Sequence, residues 1–163
     1  MSTLLGRTRS FSWREVPWKG LMELAQLEVE LGNHDEAEAL LRRARREGPV
    51  SYQAEVLLLL AQIAITRQEP WAEDILSSAR KAGLNEEQQV ILAVLRVERA
   101  LRLERIEEAQ KWAQMSRIAV QKLGKPVLSA RVKLAEGDLA RACLLYTSPS
   151  PRDQRGSRMP SSA

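Results

Sequence analysis

Any chemistry in this chain has few residues to draw on. It holds one histidine, His34, and one cysteine, Cys143. A zinc-type site needs several converging nitrogen or sulfur ligands, and an activated nucleophile needs a base beside it. No second histidine or cysteine exists to complete either arrangement, so His34 reads as a structural turn residue. The acidic pairs Glu86-Glu87 and Glu107-Glu108 could serve as acid and base. Both also fall in the first turn of an expected helix, where the positive end of the helix dipole accounts for carboxylates. Gly32-Asn33 is a turn signal without the glycine-rich spacing of a phosphate loop. The expectation is therefore a protein that is not an enzyme, with no catalytic, cofactor-binding or metal-binding residues. The run Arg42, Arg43, Arg45, Arg46 is the strongest argument for a polyanion partner. No aromatic residues interleave with it to stack on bases, and Glu36 and Glu38 lie close by, so it reads as the solvated basic end of a helix. Nucleic acid is not an expected partner.

The elements that would position these residues are helices. The chain is 44% hydrophobic and 28% charged but only 4% aromatic, and strand formers are sparse. An internal repeat dominates the sequence. Leu24-Ala25-Gln26-Leu27 returns 36 positions on as Leu60-Ala61-Gln62-Ile63, and Glu36-Ala37-Glu38 returns 35 positions on as Trp71-Ala72-Glu73. Ala44-Arg45-Arg46-Glu47-Gly48 returns, again 35 on, as Ala79-Arg80-Lys81-Ala82-Gly83. A third copy carries Ile106-Glu107-Glu108-Ala109 with Trp112-Ala113, and Glu136-Gly137-Asp138-Leu139-Ala140 reads as a fourth turn, Gly137 lying 105 residues after Gly32. Helical spacing and breakers predict helix pairs over 18–31 and 35–47, 52–67 and 71–82, then 86–103 and 107–123, with 127–136 opening a fourth pair. Asn85 with Gln88 has the form of a capping box, and Gly48, Gly83 and Gly124 fall just past expected helix ends. Leu24, Leu27 and Leu31 are expected to lie in a core or groove.

These residues make the chain resemble the tetratricopeptide repeat (TPR) family over residues 18–142. Leu24 and Ala25 stand at the close-packing positions of its first helix, Gly32 at its turn, and Ala37, Ala44 and Pro49 at its small-residue and helix-ending positions. Gln68 replaces the turn glycine in the second copy, and the third lacks it and has Arg96 and Val97 where the family prefers an apolar and a small residue. The resemblance implies an all-α, right-handed superhelical solenoid of antiparallel helix pairs, about three and a half repeats, whose first helices line a concave groove. The implied groove ladders are Lys19, Glu55 and Ile91; Met22, Leu58 and Val94; Gln26, Gln62 and Glu98; and Val29, Ile65 and Leu101. Apolar rungs and glutamines disfavour a clamp for a peptide carboxylate and favour an apolar or amphipathic segment whose backbone meets the glutamines. The same apolar rungs also fit packing against further repeats or another domain.

Phe11, Trp13 and Trp18 cluster before the first repeat and are expected to cap it, residues 1–17 forming an N-terminal extension. Residues 1–12 lack a signal-peptide core and residues 56–65 are too short to span a bilayer, so a cytoplasmic protein without a membrane partner is expected. Residues 143–163 are of another kind. Cys143-Leu144-Leu145-Tyr146-Thr147-Ser148-Pro149-Ser150-Pro151-Arg152-Asp153 reads as one translated frame of a sequencing-library adapter, and Ser157 to Ala163 as the fixed sequence beyond its index. This segment is expected to be a disordered, non-native tail that leaves the fourth repeat truncated at Ala142 and prone to self-association. Without it, 22 Lys+Arg face 20 Asp+Glu, the net charge falls from +4 to +2, and part of the basic excess behind the pI of 9.6 is removed.

The function expected from this reading is a noncatalytic protein–protein interaction scaffold gripping a peptide or partner helix. The alternative is a sensory or linker arm of a larger bacterial signalling ATPase or transcription regulator, in which another domain acts on nucleotide or DNA.

Overall fold

The computed structural model describes residues 17–147, and among these every regular element is helical. The helices are α1 (Trp18–Glu30), α2 (His34–Glu47), α3 (Gln53–Thr66), α4 (Ala72–Lys81), α5 (Glu86–Arg102), α6 (Ile106–Leu123) and α7 (Pro126–Thr147), with a 3-10 turn at Val50–Tyr52 before α3. The chain divides into two compact units, one ending at Gln88 and one starting at Gln89.

In the first unit α1 packs on α2, α3 on α4, and α3 also touches α1 and α2. Alanines set how closely these helices approach. Ala25, Ala37 and Ala44 of the first pair and Ala61, Ala72 and Ala79 of the second are all buried, around Leu21, Leu41, Leu60, Ile63 and Leu76. A methyl group at each contact lets two backbones come together while leucines fill the space on either side. Trp18 packs against Tyr52 with ring centroids 4.1 Å apart and planes tilted by 47°, joining the start of α1 to the entry of α3. That contact lies within the repeats and not in an N-terminal cap; Phe11 and Trp13 lie outside the described residues.

The second unit is built on Val90, Val94, Val97 and Ala100 of α5, Ala109, Ala113 and Val120 of α6, and Leu128, Val132 and Ala135 of α7. Val97 occupies the place of Ala25 and Ala61 and is fully buried. Its neighbour Arg96 lays its guanidinium 5.1 Å above the Trp112 ring, as Arg42 does 5.0 Å above Trp71 in the first unit.

The turns inside the helix pairs repeat atom for atom. After α1 the amide of Leu31 donates to Leu27 O, Gly32 to Val29 O and Asn33 to Glu28 O. After α3 the amides of Arg67, Gln68 and Glu69 donate to Ile63, Ile65 and Ala64. After α5 those of Leu103, Glu104 and Arg105 donate to Arg99, Leu101 and Ala100. Each is a helix-ending motif with one left-handed residue: Gly32 at φ 81°, Gln68 at 55° and Glu104 at 61°. The three turns are thus 36 residues apart, while from first-helix start to first-helix start the third copy is longer, 40 residues from Glu86 to Pro126 against 35 from Trp18 to Gln53 and 33 from Gln53 to Glu86.

Other boundaries follow local chemistry. The expected box before α5 forms, the Asn85 amide donating to Gln88 Oε1 (3.1 Å) and the Gln88 amide to Asn85 Oδ1 (2.8 Å). Gly124 ends α6 in the left-handed region and Pro126 opens α7. Gly48 is needed for space: a Cβ there would lie 2.6 Å from Ala44 O. The Gln53 side chain closes this end of α2 by donating to Arg45 O (2.8 Å) and Gly48 O (3.3 Å).

One expected break is absent. The fourth turn at Gly137 does not form, and α7 runs unbroken through Gly137 and Ala142 to Thr147. Glycine permits a left-handed turn, but Ala135, Glu136, Leu139, Ala140 and Arg141 all favour helix. Ala135 and Leu139 pack into the core on either side of it, and exposed ion pairs from Arg117 to Glu136 (3.0 Å) and between Arg141 and Asp138 flank it. The opening of the segment read as an adapter tail is thereby the last turn of a helix.

Candidate interaction surface

The expected ladder separates by burial. Lys19 and Gln26 of α1 and Glu55 of α3 are exposed, and Val29, Gln62, Ile91, Glu98 and Leu101 are half-buried. Met22 (6% exposed), Leu58 (5%), Ile65 (2%) and Val94 (1%) are core residues and offer no open apolar rung. The reason is position: each follows its helix's most buried stripe closely enough to be enclosed by neighbouring side chains. Leu27 and Leu31, expected in a core or groove, are instead exposed at 54% and 71%. They lie on the flank of α1 away from Leu21 and Ala25, and periodicity alone does not tell that flank from the buried one.

Within the first unit α1 and α3 are in contact, so Gln26 and Gln62 arise at equivalent places on adjoining helices, each two turns along its helix from the oppositely charged Lys19 and Glu55. In the second unit Glu98 is the polar rung. Burial raises its pKa above the ordinary glutamate value of 4.5; Arg131 and Arg102 pull it down, and Asp138 pushes it further up. The spacing of the first helices located Glu98 on the ladder, but its link to Arg131 and Asp138 requires α7 to pass beside α5, which the expected break at Gly137 obscured.

The basic run is mostly engaged. Arg42 bonds Glu38 at 2.8 Å while lying over Trp71, and Arg43 pairs with Glu47 at 3.2 Å. Arg45 and Arg46 are exposed in the last turn of α2, where its dipole favours cations. A cluster the sequence reading missed centres on Arg67, which bonds Asp35 (2.8 Å), Glu38 (3.4 Å) and Glu69 (3.4 Å) beside the turn between α3 and α4. The 29- and 32-residue separations hide it from any local pattern. His34 is the first residue of α2, and its Nδ1 is buried without a hydrogen-bond partner. Among the described residues no group of three or more His, Cys, Asp or Glu side chains is placed to hold a metal ion. No described helix is long and apolar enough to cross a membrane.

Short antiparallel helix pairs, alanine-mediated contacts and a turn recurring every 36 residues define a helical-repeat protein. The tetratricopeptide repeat family model matches residues 18–63, from the start of α1 into α3. No curated protein and no solved structure matches the chain. The chain carries TPR-like repeats, and a repeat of that kind is a protein–protein interaction module.

Proposed function

We propose that the chain is a noncatalytic, cytoplasmic scaffold that binds a peptide or partner helix along the first helices of its pairs. The observation that carries this reading is the placement of Gln26 and Gln62. Thirty-six residues apart on adjoining helices, both reach solvent above the buried floor of Met22 and Leu58. A carboxamide offers both a donor and an acceptor, so two of them at a regular interval match the alternating groups of a peptide backbone. Lys19 and Glu55 supply opposite charges for orientation, and half-buried Val29 supplies an apolar contact. Buried Met22 and Leu58 hold the two helices rigid and do not themselves grip the partner.

The test is selection of a displayed random-peptide library on the wild-type chain and on Gln26→Ala/Gln62→Ala. A shared motif enriched on the wild type and lost on the variant supports the reading. Equal enrichment on both, or none on either, contradicts it.

A further inference from the structure

α7 presents two opposite faces. Leu128, Val132, Ala135 and Leu139 pack into the second unit's core. Almost diametrically across the helix, Val127, Ala130, Leu134, Gly137, Arg141 and Leu144 form a seam at intervals of three and four residues, and all six are exposed. Leu134 is 72% and Val127 80% accessible. A three-four seam is the spacing by which one helix packs along another, and this seam is not one that the core uses.

From the order of residues along that seam we infer that it is an interface with a second copy of this chain, packed antiparallel about a twofold axis between Leu134 and Gly137. In that register the central residues alternate in size: Leu134 lies against Gly137 of the second copy and Arg141 against its Ala130, while Val127 and Leu144 make apolar contact at the two ends. A Cβ at Gly137 would meet nothing within 4 Å, so the space beside it is open to receive the leucine. The charges at the rim are also self-complementary. Arg131 and Asp138 flank the seam on one side, seven residues apart. The antiparallel twofold brings each Arg131 toward the other copy's Asp138, giving two ion pairs. Asp138 already meets Arg141 within its own helix, but both side chains are exposed and that pair is weak. Arg131 and Asp138 also act on the ladder residue Glu98, but the proposed peptide surface rests on Gln26 and Gln62 of the first unit, so the interface stands or falls independently of that surface.

Sedimentation equilibrium of the full chain across a wide dilution series tests the inference. The wild type is expected to run at twice its 18.4 kDa mass and to dissociate on dilution. Leu134→Glu is expected to be monomeric throughout, with its thermal midpoint at low concentration unchanged because Leu134 is exposed in the single chain. Asp138→Arg is expected to raise the dissociation constant about tenfold by setting like charges together, and Arg131→Asp/Asp138→Arg to restore it. A wild type that stays monomeric, or a Leu134→Glu chain that still dimerises, overturns the interface. Asp138→Arg without effect overturns the antiparallel register.

Discussion

The turn after α1 and the turns after α3 and α5 share one set of hydrogen bonds but not one residue. Glycine stands at the left-handed position in the first, glutamine in the second and glutamate in the third. Gly137 is the converse, a glycine where the sequence repeat anticipates a turn and the helix continues. The difference teaches that packing between helices imposes the reversal and the turn residue only adjusts its cost. Where Ala61 and Ala79 bury against neighbouring helices, the chain reverses even through Gln68, whose side chain makes the left-handed region unfavourable by about 1 kcal/mol.

The sharpest way to break this comparison is to remove packing and leave the turns intact. Leu60→Ala, at a site with no exposed surface, should cost about 2–5 kcal/mol in urea denaturation, well beyond any turn substitution. A loss no larger than that of the turn variants would place the determinants in the turns. Gly48→Ala should cost roughly 1–3 kcal/mol, because the added methyl meets the Ala44 carbonyl rather than a movable side chain. Gln68→Gly and Glu104→Gly should each stabilise by about 0.5 kcal/mol, relief of the left-handed strain slightly exceeding the entropy glycine adds to the unfolded chain. Destabilisation by both would show that the side chains contribute more than the strain costs.

The smallest effect separates the units by pH. Glu98 has a folded-state pKa raised above 4.5, so the folded chain holds its proton more tightly than the unfolded chain does. The contribution of Glu98 to stability is full below pH 4.5 and falls as pH rises through the folded pKa. Glu98→Gln should flatten that part of the stability profile and leave the first unit, which lacks this residue, unaffected. An unchanged profile would contradict the assignment.

Much of the fold was legible because its signals are local. Helix starts and ends in the first three pairs lie within about a residue of those that caps and breakers indicate, and the Asn85–Gln88 box forms as its spacing predicts. The small residues Ala25, Ala37 and Ala44 are buried where the repeat requires. Legibility failed where a residue's role depends on distant partners. Met22 and Val29, two helical turns apart, look alike in sequence, yet only Met22 is enclosed. The positions 32, 68 and 104 share the 36-residue interval of the first helices, but two of them carry residues without turn preference, so the recurrence of the turn itself showed only in the backbone. Gly137 misled for the opposite reason: its type permits a turn that its helix-favouring neighbours, with Ala135 and Leu139 packed into the core on either side, override.

Denaturation of Gly32→Ala beside Gly137→Ala tests the central claim most directly, since the two substitutions are chemically identical. The account predicts opposite signs. At a dilution where the chain is monomeric, Gly32→Ala should destabilise by roughly 1 kcal/mol because φ is 81° there, and Gly137→Ala should stabilise by a similar amount in an open helix interior. Two changes of the same sign would contradict it: both destabilising would restore the turn at Gly137, and both stabilising would remove the one at Gly32.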